Sequence, residues 1–236
     1  MVINSSLSAG RGNSNDARGY NRAVDWVQRV RTEARMSVVE RIHGQYTYRR
    51  RVNILCDHFL EILPSKANVL DVGCGDGELA GLIMQKEPGI DIKGVDILVR
   101  NQTQIPVARF DGQRIPYPDA SFDIVMFSDV LHHTTDPLVL LREAGRVARR
   151  SIVLKDHTCD GLFADTTLRF MDHVGNARHG VALPFNYWPK QKWLKAFDNL
   201  GLAISSWKSD LRLYPRWADL VFGRSLHFVA KLDIPM

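Results

Sequence analysis

From Val69 to Gly77 the chain reads Val-Leu-Asp-Val-Gly-Cys-Gly-Asp-Gly, an apolar run that turns on glycines into a helix-forming segment. Glycines at such a turn permit positive φ and let a ligand lie against bare backbone. The turn also leaves free amide N–H groups at the positive end of the helix. A dinucleotide fold spaces these glycines GxGxxG around a pyrophosphate. Here the spacing is GxGxG, and Asp71 and Asp76 flank it. Two carboxylates repel a pyrophosphate and favour a ligand that carries an ammonium and a sulfonium.

More chemistry-bearing residues follow in order. Gly94-Val95-Asp96-Ile97 puts an acid about twenty residues beyond the glycines, where a carboxylate can accept from both hydroxyls of a ribose. Phe110-Asp111-Gly112 offers a second acid, suited to an adenine amino group. Ser128-Asp129-Val130-Leu131-His132-His133 ends the next apolar run, and Asp156-His157 ends the one after it. A histidine at either place can take a proton or orient a ligand, with an ordinary pKa of roughly 6 to 7. Cys74 has no basic neighbour in sequence to lower its pKa and reads as a small filler.

The elements needed to position these residues are legible in the hydrophobic pattern. Strands are predicted at Asn68–Val72, Asp91–Val95, Ala108–Phe110, Phe122–Phe127 and Ser151–Leu154, with helices at Glu78–Lys86 and Leu138–Arg149 between them. Strand and helix in alternation make βαβ units, hence an α/β fold with a mostly parallel sheet covered on both faces. An irregular insertion is expected at about 157–189. A helix at Pro189–Leu200 and two late strands, Ala203–Trp207 and Ser225–Lys231, follow it. Ahead of the sheet, 1–19 is rich in Ser, Asn and Gly and reads as a flexible tail. Helices are expected at Tyr20–Ile42 and Tyr48–Leu63, the latter ended by Pro64. Residues 20–236 are thus expected to form one domain. In it, 20–63 is a helical lid, 67–156 a cofactor-binding core and 157–189 a substrate-side insertion.

With these motifs in order, the segment 67–156 resembles the class I S-adenosylmethionine-dependent methyltransferases. It looks most like the small-molecule branch that includes quinone-type C-methyltransferases. The resemblance implies a Rossmann-like, doubly wound sheet of seven strands whose last strand is antiparallel. It implies S-adenosyl-L-methionine as cofactor, with Gly73, Cys74 and Gly75 facing its methionine part and Asp71 supporting that loop. Asp96 would hold the ribose, Ile97 would pack on the adenine, and Asp111 and Gly112 would touch its edge. Ser128 would line the pocket by its backbone. His132 and His133 are the candidates for a base or an orienting group. Asp129, with Asp156, resembles the acids that hold magnesium in catechol-type relatives. A neighbouring histidine suits that hard cation poorly, so no metal is expected.

Composition narrows the partners. Basic residues number 31 against 26 acidic, and residues 1–53 alone hold ten arginines against four acids. Such an arm can bind RNA, which makes an RNA methyltransferase the first alternative. A cofactor-binding protein without turnover is the second. Asn186-Tyr187-Trp188 lacks the prolines of the Asn-Pro-Pro-Tyr motif of base-amine methyltransferases, so a small-molecule acceptor, aromatic or lipophilic, is expected and nucleic acid is not. Three unpaired cysteines suit a reducing compartment. With no apolar run of membrane-spanning length, a cytoplasmic protein is expected.

Overall fold

The computed structural model describes residues 38–176, 184–223 and 225–235. Contacts divide the chain into residues 1–46 and residues 47–236. The first helix, α1 (Val38–Ile62), begins in one unit and ends in the other. The expected tail at 1–19 and most of the first expected helix lie outside the described residues. The break expected between Ile42 and Tyr48 is absent: α1 runs through Gly44, a residue that costs a helix interior only about 1 kcal/mol.

Seven strands follow: β1 (Ala67–Val72), β2 (Ile90–Asp96), β3 (Val107–Arg109), β4 (Phe122–Ser128), β5 (Ala148–His157), β6 (Ala203–Lys208) and β7 (His227–Asp233). They form one sheet in the order β3-β2-β1-β4-β5-β7-β6. Strands β1 to β5 pair in parallel, and β7 runs antiparallel to both β5 and β6. The helices after α1 are α2 (Glu78–Lys86), α3 (Pro137–Val147), α4 (Ala164–Asn176), α5 (Lys190–Asn199) and α6 (Arg216–Phe222).

Alternation along each strand divides the core in two. Val69, Ile92, Ile124, Met126 and Val153 face Cys56 and Phe59 of α1 and Ala80 and Ile83 of α2. Leu70, Val95, Val125, Phe127, Ile152 and Leu154 face Leu140, Leu141 and Ala144 of α3 and Trp193 and Phe197 of α5. Burial on both faces explains why the central strands read as nearly unbroken apolar runs. Helix α3 starts on Pro137 after Asp136, whose carboxylate accepts from the Leu138 amide at 3.0 Å.

Two helices depart from the expected pattern. Helix α4 falls inside the stretch expected to be irregular, and α6 lies between the last two strands. Helix α4 buries Ala164, Leu168 and Asp172 at four-residue spacing, a helical period whose third member is a carboxylate, and of the described side chains of α6 only Ala218 is buried. Among the described residues no helix is long and apolar enough to cross a membrane.

The strand order reverses between β1 and β4. Open α/β sheets bind ligands at the carboxyl ends of the strands beside such a reversal. Gly73, following β1, and Ser128, ending β4, stand at that point.

Candidate active site

The GxGxG turn takes its shape from glycine. Gly73 has φ +75°, and its N–H donates to the Val95 carbonyl at 2.7 Å; a Cβ on it would come within 2.6 Å of Val130 Cγ2. Gly75 has φ +62°, and a Cβ there would point into open space. The turn is tied to the end of β2 by Asp96, whose carboxylate accepts from the Gly75 amide at 2.8 Å and the Leu98 amide at 2.9 Å. A carboxylate has about four lone-pair sites, so Asp96 keeps acceptor capacity for a ligand. Cys74 packs on β2: a Cβ on Gly94 would lie 2.3 Å from its sulfur. Burial, with the charges of Asp71 and Asp96, pushes its thiol pKa up, which suits a filler and not a nucleophile.

Asp71 is buried, 3 % exposed, and burial together with the charge of Asp96 raises its pKa to about 7. An ionised carboxylate in that position lacks an ion-pair partner among the described residues. A ligand ammonium would supply one. Further along the edge Ile97 is half exposed, with its Cγ2 3.2 Å from where a Cβ on Gly112 would lie, so the two sit side by side. Asp111 is fully exposed, and its Oδ1 accepts from the amides of Gln113 (2.8 Å) and Arg114 (2.7 Å), which lowers its pKa. That oxygen shapes the turn that presents Gly112.

Beyond the reversal, the ends of β4 and β5 carry a second cluster. Asp129 adopts φ +58°, a strained backbone state for a non-glycine residue. Its carboxylate pairs with the buried ammonium of Lys155 and with Arg51 of α1 at 2.6 Å. Burial opposes its ionisation, but these two cations hold its pKa well below the usual carboxylate range. Burial pulls the Lys155 ammonium down to about 8 against the pull of Asp129. Asp156, fully buried, accepts from the amides of Leu131 (3.0 Å) and His157 (2.7 Å) and from His132 Nδ1 (2.7 Å). The other His132 nitrogen faces Asp172 Oδ2 at 3.4 Å, an ion-pair contact without hydrogen-bond alignment. Tyr187 donates its hydroxyl to Asp172 and stacks on His132.

These contacts alter the roles foreseen for the histidines. Burial opposes protonation of His132, but Asp156, helped by Asp172 and Asp129, overrides it and raises the pKa to about 10. The ring is an imidazolium at neutral pH, so it donates hydrogen bonds and cannot serve there as the base with a pKa of 6 to 7. His133, by contrast, is lowered by burial and by the charge on His132 and stays neutral. His157 is held well below 6.5 by burial and by Lys155. Asp129 is engaged by two cations, not free to act as a base.

Two triads gather donor atoms within 4.8 Å of one another: Asp129, His132 and His157, and His132, His133 and Asp172. Both would require His132 as a neutral ligand, and the first also needs Asp129 released from Lys155 and Arg51. Neither donor set suits magnesium, which takes oxygen ligands and water.

Arg51 and Lys155 are not among the residues singled out from sequence, whereas Asp172 and Tyr187 fall in the expected substrate-side insertion. Lys155 carried a signal, a charged residue inside the apolar run Ile-Val-Leu-Lys-Asp-His. Arg51 was grouped with the basic tract of the leader, and its partner lies 78 positions away.

A seven-stranded sheet in this order, with a glycine turn and acids at the ends of β1 and β2, defines a class I S-adenosylmethionine-dependent methyltransferase. The model of a family described as a methyltransferase domain matches residues 43–206, and the chain belongs to that family. The chain is 32 % identical over 110 residues to 27-O-demethylrifamycin SV methyltransferase of Amycolatopsis mediterranei (strain S699), covering 40 % of each. It is 30 % identical over 149 residues to 2-methyl-6-phytyl-1,4-hydroquinone methyltransferase of Synechocystis sp. (strain ATCC 27184 / PCC 6803 / Kazusa), covering 59 % of this chain and 42 % of that one. It thus spans less than half the length of these two relatives. Among solved structures, an S-adenosylmethionine-dependent methyltransferase from Mesorhizobium loti shares the fold with TM-score 0.55 at 15 % identity, over 75 % of this chain and 96 % of that one. S-adenosylmethionine is the cofactor of this class, and the residues present fit it: a glycine turn open to backbone contact and a buried carboxylate placed for a cation.

Proposed function

We propose that the chain transfers a methyl group from S-adenosylmethionine to a small aromatic acceptor of the quinone or hydroquinone kind. The observation that carries the reading is the division of charge along the sheet edge. At β4 and β5, three carboxylates (Asp129, Asp156, Asp172) meet three cations (Lys155, Arg51, His132), and that half is close to neutral. At β1 and β2, Asp71 and Asp96 have no ion-pair partner among the described residues, so that half attracts a cationic ligand.

When bound, the cofactor supplies a methyl group on a sulfonium. The protein's work is then alignment and exclusion of water. Asp71 faces the charged methionine end, Gly73, Cys74 and Gly75 offer their backbone, and Asp96 accepts from the ribose. Ile97 and Gly112 line a flat slot for the adenine with Asp111 at its rim, and Ser128 closes the wall. On the acceptor side, His132 is an imidazolium held between Asp156 and Asp172, and its charge keeps that wall close to neutral without touching the acceptor. His133 is kept neutral by burial and by the charge on His132, so its ring can take a proton if the acceptor bears one.

The relatives named above support the acceptor class, one acting by its name on a hydroquinone. The RNA alternative loses support where Arg51 is already engaged by Asp129. The test is transfer of isotopically labelled methyl from S-adenosylmethionine to separate pools of hydroquinones, simple phenols and structured RNA. Label is expected in the hydroquinone pool. Label in RNA alone would overturn the proposal.

A further inference from the structure

Beside the ends of β4 and β5, three side chains stand as the ligands of a metal ion do. Leu131–His133 forms a single 3₁₀ turn after β4, and the Asn186 amide donates to the His132 carbonyl at 3.0 Å, which fixes it. The turn sets the rings of His132 and His133 3.9 Å apart, centroid to centroid. Helix α4 brings Asp172, 8 % exposed, against them. One nitrogen of each ring and one carboxylate oxygen of Asp172 all lie within 4.8 Å of one another.

Two of these donors also have the outer partners that metal ligands need. His132 Nδ1 donates to Asp156 at 2.7 Å, so Nε2 is the nitrogen turned to Asp172. Tyr187 donates its hydroxyl to Asp172 Oδ2. Ligating histidines almost always donate their second nitrogen to a carboxylate, carbonyl or water, and ligating carboxylates are themselves hydrogen-bonded. The contact between the two donors is equally telling. His132 Nε2 is buried and has no hydrogen-bond partner among the described residues, although Asp172 Oδ2 is 3.4 Å away. A charge-assisted bond would close to about 2.7–2.9 Å. Tetrahedral bonds of about 2.0–2.1 Å instead hold two donor atoms about 3.3–3.4 Å apart, whereas octahedral bonds of that length set neighbours about 2.9 Å apart. An ion sits between its ligands, in a space too small for water, so the closing of Nε2 by its fellow donors is what such a site requires.

We propose that His132 Nε2, His133 and Asp172 bind one tetrahedral divalent ion of the zinc class, oriented by Asp156 and Tyr187. Two imidazoles and a carboxylate are an established zinc set, with a fourth position left for water or a substrate oxygen. Asp156 and Asp172 supply two negative charges for the two positive ones. His133 is half-buried, which gives the ion a way in. The ion takes the place of the proton that His132 holds in the metal-free protein, and His133 then coordinates instead of serving as a base.

The test is calorimetry on the full chain, stripped with chelator and titrated with zinc chloride, with cobalt(II) as a spectroscopic probe. One ion per chain is expected, and cobalt should give the strong visible absorption of a four-coordinate site until zinc displaces it. His133→Ala and Asp172→Asn should each weaken zinc binding by at least about tenfold, as the loss of even an outer partner does. His173→Ala, one residue beyond Asp172 on α4, should leave it unchanged. Binding of S-adenosylhomocysteine by each variant shows that it is folded. Histidine ¹⁵N spectra of the unsubstituted chain give a readout that needs no variant: zinc should shift two rings, one of them through Nε2 with Nδ1 still protonated. Failure to bind one ion per chain, affinity indifferent to His133→Ala and Asp172→Asn, an equal loss in His173→Ala, or the weak cobalt absorption of an octahedral site would each overturn the proposal.

Discussion

Asp71 should be held in place by function at the expense of stability. Its folded pKa is about 7, against 3.8 for an unperturbed aspartate. Below 3.8 both folded and unfolded chains carry the proton, and the group is neutral to stability. As pH rises from about 4 to 7 the unfolded chain ionises first, so the folded state loses stability across that window and the loss is complete above it. A difference of roughly 3 pKa units corresponds to about 4 kcal/mol. Asp71→Asn removes this penalty. The stability difference between variant and wild type, without cofactor, should shift in the variant's favour by up to about 4 kcal/mol between pH 4 and pH 8. At about 2–4 °C per kcal/mol for a chain of this size, that is on the order of 10 °C in Tm. S-adenosylhomocysteine should behave oppositely: the variant loses a charge-assisted contact to the ligand ammonium, so affinity falls roughly tenfold to a hundredfold. Thermal melts of both proteins at a series of pH values, with and without S-adenosylhomocysteine, read both effects. A stability difference that does not change with pH would refute the reasoning, because the other titrating groups cancel between the two proteins.

Three further outcomes are expected. Asp96→Ala frees the Gly75 and Leu98 amides and removes the ribose acceptor, so affinity for S-adenosylhomocysteine should fall about tenfold or more by calorimetry; unchanged affinity would mean that the ribose lies elsewhere. Lys155→Met leaves Asp129 with Arg51 alone and should cost about 3–5 kcal/mol by urea denaturation, with part of the loss recovered when Asp129→Asn is added. In ring-nitrogen NMR, His132 should remain protonated from pH 6 to pH 8 and begin to titrate in that range in Asp156→Asn, since Asp156 is the main group holding its proton; a wild-type His132 that titrates near pH 6.5 would remove the imidazolium from the mechanism.

The core of the fold was legible because its strands and helices solve their packing locally. Glu78–Lys86 was predicted residue for residue, and β1, β2 and β4 within a residue or two at each end, since each is an apolar run closed by glycine, proline or an acid. Helix α4 keeps a helical spacing in Ala164, Leu168 and Asp172, but the carboxylate in that stripe hides it from an apolar pattern, and of the described side chains of α6 only Ala218 is buried. The position of β7 between β5 and β6 is a pairing of distant segments, and no local pattern encodes it.

The site divides along the same line. The carboxylates at the ends of β1 and β2 could be located from sequence because each lies in the last two residues of its own strand. The cluster at β4 and β5 could not be resolved in that way, because its state depends on partners far apart in the chain: Arg51 and Asp129, Asp129 and Lys155, Asp156 and His132, His132 and Asp172. Sequence supplied the histidines but not the charge they carry. That charge follows from the balance among the buried groups. With Arg51 and Lys155 set against Asp129, Asp156 and Asp172, a neutral His132 would leave an uncompensated negative charge beside the sheet. Protonating the ring costs desolvation but removes that larger penalty. The same balance makes the proposed division of labour physical: a neutral acceptor side can receive an aromatic molecule without repelling it, while the unpaired carboxylates of the neighbouring half draw in the cationic cofactor.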